Sequence, residues 1–215
     1  MIYEELKIQF DLNDSIDVLK SIGKKTKDGD WFVVCDEGDC HLFNENGNEI
    51  DIKKIKTLNE DLIPKDIKKI IVPNSIKIIR HSTFYDCKDL ISIVIPDSIE
   101  YIKNYTFYKC VNLTSVIIPD SIKNIEVYAF ARCENLTSIN ISDSVKSIGS
   151  FAFINCKNLT SITIPDLIET VGYDALYNCK NLKSLTFKNK TIEQVKSMNF
   201  YPWGIKDESI IKCIN

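Results

Sequence analysis

Eight cysteines and two histidines are the side chains of this 215-residue chain with the greatest capacity for metal or nucleophilic chemistry. Cys35, Cys40 and His41 form a Cys-x4-Cys-His cluster, and soft thiolates there would favour zinc. A structural zinc site wants four ligands, and this cluster supplies three. Cys213 could complete it only if the two ends of the chain met. His41 and His81 fall in different parts of the chain, so no Ser-His-Asp or Cys-His arrangement can be argued. The phosphate-binding G-x-x-x-x-G-K-[ST], the dinucleotide-binding G-x-G-x-x-G and the zinc-protease H-E-x-x-H patterns are all missing. No catalytic residue, metal site or cofactor is expected, and the chain reads as non-enzymatic.

Five further cysteines are periodic: Cys87, Cys110, Cys133, Cys156 and Cys179 stand 23 residues apart. They belong to a repeat running from Ile67 to Phe187. Leu90-Ile91-Ser92-Ile93-Val94-Ile95-Pro96 returns from Leu113, from Leu136 and from Leu159, with a first copy at Ile67 and a last half-copy at Leu182. Phe84, Phe107, Phe130 and Phe153 recur in step, with Leu176 in the same column. A sustained period between 20 and 50 residues marks a stacked repeat architecture.

Within a copy, Ile93 and Ile95 alternate with Ser92 and Val94, which is strand periodicity. Proline ends the strand at Pro73, Pro96, Pro119 and Pro165, because it cannot donate to a ladder; Ser142 and Lys188 take its place elsewhere. One coil cannot bury Ile99, Ile102, Phe107 and Cys110 by itself, so coils must stack into a continuous core. Cysteines in one column beside Ile and Phe columns are expected to be small buried hydrophobes with reduced thiols. Asn112, Asn135, Asn158 and Asn181 form another column, expected to hydrogen-bond the backbone between coils. Each of the first three also opens an Asn-Leu-Thr sequon, read here as a by-product of the repeat.

The pattern resembles the BspA-like, or Treponema pallidum-type, leucine-rich repeats. Cys110, Asn112, Leu113, Val116, Ile118, Pro119, Ile122, Ile125, Ala129, Phe130 and Cys133 carry the resemblance, which covers about residues 64–190. It implies a β-rich α/β solenoid of 23-residue repeats with a curved parallel sheet. A small α+β lobe is expected to cap the N-terminal end over residues 1–63. The solenoid would fill 64–187, and a helix–strand cap 188–215.

In the N-terminal lobe, Lys7 to Leu12 alternates like a strand, and Ile16, Leu19 and Ile22 suit a short helix stopped by Gly23. Trp31 to Cys35 reads as a strand, and His41–Asn44 and Glu49–Ile52 flank an Asn46-Gly47 hairpin signal. After Phe187, one or two helical turns with Ile192 and Val195 inward, an aromatic turn around Trp203 and a strand from Ser209 to Ile214 are expected. Trp203 is expected to seal the last coil.

Net charge is −3, which argues against general binding of nucleic acid. It is unevenly spread. Residues 1–63 carry 15 acidic and 8 basic side chains, net −7, and residues 64–215 carry 15 and 19, net +4. No stretch approaches the roughly 18–20 apolar residues of a membrane span, and the first residues lack a signal-peptide core. As written the chain is expected to be cytoplasmic, or at the cell surface if a leader precedes it.

Curved solenoids present extended surfaces that bind proteins. The expected function is a protein-interaction scaffold for an unidentified protein, itself monomeric or weakly self-associating. An inhibitor of a nucleic-acid-handling enzyme and a surface adhesin are the narrower alternatives. The favoured contact surface is the concave strand face: Ile71, Val94, Ile117, Asn140 and Thr163 in one column, Lys69, Ser92 and Ser115 in another. The alternative is the aromatic column of Tyr105, Tyr128 and Phe151, with Asp36, Glu37 and Asp39 of the acidic lobe.

Overall fold

The computed structural model describes residues 32–36, 39–43, 49–50, 56–60, 63, 65, 67–72, 74 and 76–214. The proposed strand at Lys7–Leu12 and the proposed helix at Ile16–Ile22 lie outside the described residues. Strands β1 (Phe32–Asp36), β2 (Asp39–Phe43) and β3 (Glu49–Ile50) form a small antiparallel sheet in that order. The Asn46-Gly47 pair falls between β2 and β3, where the hairpin signal places a turn.

From β4 (Thr57–Leu58) onward every pairing among the described strands is parallel. The strands of the repeat are β5 (Lys69–Ile71), β7 (Ser92–Val94), β9 (Ser115–Ile117), β11 (Ser138–Asn140), β13 (Ser161–Ile164) and β15 (Ser184–Lys188). With β16 (Ile211–Ile214) they make one seven-stranded sheet. The register is the repeat itself: Ile93 pairs with Val116, Val116 with Ile139, Ile139 with Ile162 and Ile162 with Leu185. All five are buried.

A second parallel ladder lines another side of the coil: β8 (Tyr101–Ile102), β10 (Asn124–Ile125), β12 (Ser147–Ile148) and β14 (Thr170–Val171). Here β6 (Ile78–Ile79) pairs with β4. Only the second residue of each of these two-residue strands is buried, as the sequence spacing of Ile102, Ile125, Ile148 and Val171 demands.

The third side is made of tight corners. Each holds two residues in the left-handed region, four apart: Tyr105 and Lys109, Tyr128 and Arg132, Phe151 and Asn155. Alternate backbone N–H groups then serve different partners. Those of Tyr105, Phe107 and Lys109 donate along the solenoid axis to the carbonyls of Val127, Ala129 and Ala131. Those of Thr106, Tyr108 and Cys110 donate within the corner, three residues back. The corner thus satisfies its backbone without being a helix or a strand.

Inside the corners the phenylalanines stack face to face. Ring centroids of Phe84 and Phe107, Phe107 and Phe130, and Phe130 and Phe153 lie 5.3, 5.0 and 5.5 Å apart. Each such pair contributes about 0.5–1.5 kcal/mol beyond burial alone. The column ends at Leu176, whose N–H donates to the carbonyl of Trp203, the position the next coil would have filled. Trp203 is fully buried and tilts against Phe187 at 5.5 Å, so it covers core rather than facing solvent.

Between them lies α1 (Ile192–Lys196), opened by a reciprocal capping box between Thr191 and Gln194. Val195 points inward as expected, but Ile192 is exposed, because five residues turn only one side chain onto the core. The last strand is also shorter than its alternation suggests. Asp207 caps a 3-10 turn over Glu208–Ile210, and pairing with β15 begins only at Ile211. No helix among the described residues is long and apolar enough to cross a membrane.

Candidate functional site

The outer face of the seven-stranded sheet carries the residues that strand alternation points away from the core. Val94 stands opposite Ile117 in register, and Ile117 opposite Asn140. Ile71 pairs with Val94 through the backbone. Val94 is half-buried, Ile117 is 40% exposed, Asn140 is exposed and Thr163 half-buried. Ile91, one residue before β7, is also 40% exposed. The adjoining column contains Lys69, Ser92, Ser115, Ser138, Ser161 and Ser184, joined in backbone register from strand to strand. The face is therefore apolar around β7 and β9 and polar from β11 onward.

The aromatic column is also assembled. Tyr105 stacks on Tyr128 at 5.0 Å, and Tyr128 on Phe151 at 4.8 Å. The structure extends it with residues that no single column contains. Tyr85 stacks on Tyr108 at 5.0 Å, and Tyr108 meets Tyr105 edge-on at 5.6 Å. Tyr173 meets Phe151 edge-on, and Phe200 meets Tyr173. The Tyr85–Tyr108 pair could have been read from its own 23-residue spacing. Phe200 could not, since it lies beyond the repeat.

The acidic alternative belongs to the small antiparallel sheet, whose β1 comes close to β5 of the solenoid sheet. Asp36 and Asp39 face each other in backbone register at the junction of β1 and β2, and Glu37 lies outside the described residues. In the same hairpin Cys35 stands opposite Cys40, and His41 opposite Val34. Among the described residues no group of three or more His, Cys, Asp and Glu side chains could hold a metal.

The periodic cysteines make a third array. Each thiol donates to the carbonyl of the phenylalanine one coil earlier: Cys110 to Phe84, Cys133 to Phe107 and Cys156 to Phe130, all at 3.1 Å, and Cys179 to Phe153 at 3.2 Å. None is bridged to another. Burial pushes the thiols of Cys110, Cys133 and Cys156 far up, and neighbouring thiols add to the effect. Burial likewise pushes Cys179 up to about 12. Thiols held neutral in this way do not act as nucleophiles or ligands.

The asparagine column differs from expectation. Asn135 donates its side-chain amide to Asn112 at 3.2 Å, Asn158 to Asn135 at 3.1 Å and Asn181 to Asn158 at 3.2 Å. The ladder is amide to amide on the exposed surface, because these side chains project out of the corner rather than under it. Where Ser142 replaces the strand-ending proline, its buried hydroxyl donates to Asp120 at 2.7 Å.

One hollow of about 280 Å³ lies between the last coil and the following turn, lined by Leu176, Tyr177, Cys179, Leu182, Gly204 and Ile210 among others. It is at the lower edge of the range for small-molecule sites, and it lacks a convergent set of buried polar groups.

No curated protein sequence is similar enough to this chain to count as a relative. Among solved structures, a leucine-rich repeat protein from Bacteroides ovatus superposes with a TM-score of 0.53 at 25% identity, over 75% of this chain. This chain spans about half of that protein, 47% of its length. The T. pallidum leucine-rich repeat protein superposes with a TM-score of 0.52 at 18% identity, over 87% of this chain and 79% of its own. The sequence profile of the BspA type leucine-rich repeat region, 6 copies, matches residues 64–183 and 123–212. With the 23-residue register, the cysteine–phenylalanine ladder and the parallel sheet in place, the chain belongs to the BspA-type leucine-rich repeat family.

Proposed function

We propose that this protein is a non-enzymatic scaffold that holds a protein partner on the outer face of its seven-stranded sheet, centred on Val94 and Ile117. The observation that carries this reading is the exposure of Ile117, which stands in strand register beside the half-buried Val94. Threonine fills the same strand position at Thr163 and Thr186, paired in the same sheet, so the strand does not require an apolar side chain there. Contiguous apolar side chains that the fold does not need mark contact surfaces. The polar strands from β11 onward would form the rim of such a contact.

The test is site-specific photo-crosslinking in the source cell. A photoreactive amino acid at Ile117 is expected to trap one protein species reproducibly, and the same group at Lys123, on another side of the coil, is not. Val94→Asp with Ile117→Asp, shown folded by circular dichroism, is expected to weaken binding of the trapped protein about tenfold or more. Equal trapping at both positions, or unchanged affinity of the double variant, would remove the contact from this face. The identity of the trapped species separates the two narrower uses, block of a nucleic-acid-handling enzyme and adhesion to a surface.

A further inference from the structure

The aromatic corners carry rings that their backbone does not ask for. Tyr105, Tyr128 and Phe151 sit at φ 58°, 57° and 59°. A side chain in that region costs about 1–2 kcal/mol. The equivalent corner residue is Ser82 in the coil before and Asp174 in the coil after, both also at positive φ. Small polar residues therefore serve the turn, and three consecutive coils carry a large ring there instead. The result is a half-buried ribbon of stacked rings along the solenoid axis, continued by Tyr85, Tyr108 and Tyr173, with Tyr105 and Tyr173 exposed.

Stacking covers the ring faces and leaves the edges outward, and the edge is the electropositive part of an aromatic quadrupole. The hydroxyls of Tyr85, Tyr105, Tyr108 and Tyr128 have no hydrogen-bond partner among the described residues. Tyr201, by contrast, spends its hydroxyl on Glu208. Full positive charge lies alongside. Lys109 places its ammonium 5.6 Å from the Tyr108 ring, and Arg132 holds the equivalent corner position one coil on. Lys103 precedes the Tyr105 corner. The ion pairs among the described residues involve none of these three cations. Glu126 is the one acid within these two corners, and it already accepts the Asn104 N–H at 3.0 Å. Lys109 and Arg132 are like charges in equivalent positions of adjacent coils, and Asp86 holds that position one coil before Lys109.

We propose that this ribbon binds an extended acidic segment of a partner protein. Its carboxylates would pair with Lys109 and Arg132, and its backbone carbonyls would accept from the tyrosine hydroxyls. A surface whose unspent groups are donors and cations matches a ligand rich in acceptors and negative charge. The polyproline II conformation leaves every carbonyl free and repeats about every 9.3 Å, three residues at 3.1 Å each. Two successive ring spacings along the ribbon, 5.0 and 4.8 Å, span nearly the same distance. A second copy of this chain is a poorer occupant, since its six prolines are scattered and none is spaced as Pro-x-x-Pro.

The experiment is fluorescence anisotropy of the full chain with a labelled peptide of about eight residues alternating glutamate and proline, a length that spans the stacked rings at 3.1 Å per residue. Peptides alternating glutamine or lysine with proline are the controls. The acidic peptide is expected to bind about tenfold tighter than the glutamine peptide, and less tightly as salt rises. Lys109→Glu with Arg132→Glu is expected to reverse the preference toward the lysine peptide. Tyr105→Ser with Tyr128→Ser copies the residue already tolerated at Ser82, so it keeps the fold, and is expected to lose about tenfold in affinity. The Val94→Asp, Ile117→Asp protein is expected to bind the peptide normally, which keeps this surface distinguishable from the strand face. Absence of acidic-peptide binding, or equal binding by the charge-reversed variant, overturns the proposal. So does sedimentation showing a dimer that the tyrosine variant abolishes, which would assign the ribbon to a second copy.

Discussion

The thiol of Cys133 donates to the carbonyl of Phe107, 3.1 Å away and 26 residues earlier in the chain. The cysteine column therefore does more than fill space. Each corner leaves one phenylalanine carbonyl under the next coil, where water cannot reach it, and a small, weakly polar S–H is what the space there admits. The Phe107 carbonyl also accepts the Cys110 N–H at 3.1 Å, so the thiol supplies its second hydrogen bond, and removing that donor costs about 0.5–1.5 kcal/mol.

This arrangement predicts an order of thiol reactivity. Cys213 is exposed on β16 and is expected to label rapidly in native buffer, whereas Cys87, Cys110, Cys133 and Cys156 are expected to label only after unfolding. Peptide mapping by mass spectrometry after a short native pulse of alkylating reagent reads this directly. Rapid modification of Cys133, or a bridge between any two column cysteines, would contradict the ladder.

Stability is expected to fall at alkaline pH for the same reason. The thiols of Cys110, Cys133 and Cys156 have folded-state values raised well above an ordinary thiol, and burial pushes Cys179 up to about 12. The folded state therefore holds protons that the unfolded chain gives up above about pH 8.5. Their contribution is complete below that pH and is lost as pH rises towards the folded-state values. Each thiol can add up to about 1.4 kcal/mol of loss per pH unit in that window. Urea unfolding at a series of pH values reads the slope, and Cys133→Ala is expected to make it shallower. An identical slope in the variant would assign the alkaline loss to other groups.

Phe130 stacks between Phe107 and Phe153 and is fully buried, so neighbouring coils bound the space it fills. Phe130→Ala is expected to destabilise the fold by about 3–5 kcal/mol. A loss under about 1 kcal/mol in equilibrium unfolding would mean that the coils collapse onto one another far more readily than their register suggests. Asn135→Ala provides the contrast. It breaks two exposed amide bonds and is expected to cost no more than about 1 kcal/mol.

Gly172 is a position where addition of one methyl group is expected to be severe. A Cβ there would lie 2.3 Å from the amide nitrogen of Ser150 and 2.6 Å from the carbonyl carbon of Gly149, both backbone atoms of the preceding coil. Backbone cannot rotate out of the way as a side chain would. Gly172→Ala is expected to lower stability by about 1–3 kcal/mol or more, measured by thermal or urea unfolding. A neutral result would show that these two coils can separate locally at little cost.

The repeat architecture was legible because a stacked coil repeats its environment. The same inward positions, Ile93, Val116 and Ile139, meet the same neighbours, so residue identity recurs at 23 and the register can be read by alignment alone. The strand face was legible for the same reason, through Val94 and Ile117. The left-handed corners were not. Asp86, Lys109, Arg132, Asn155 and Asn178 share a backbone conformation but not one side-chain type, because inter-coil hydrogen bonds rather than glycine hold it. The full ribbon was hidden too. Only its Tyr105, Tyr128 and Phe151 column was visible, since Tyr108, Tyr173 and Phe200 join it by edge contacts across columns. The exposure of Ile192 was missed because five helical residues are too few for periodicity to choose a face.

The inter-coil bonds have a consequence for how such a gene can change. Phe84 donates to Thr106, Phe107 to Ala129 and Phe130 to Ala152, always with the same offset. Loss or duplication of one whole coil by recombination would rejoin the chain at an equivalent junction, with donors and acceptors already facing. A change of any other length would shift inward residues to the outside. Lineages are free to vary in steps of 23 residues, provided that Trp203 and β16 still follow whichever coil comes last. Length is thus a trait that selection can adjust to the size of whatever the surface must span, without reinventing the fold.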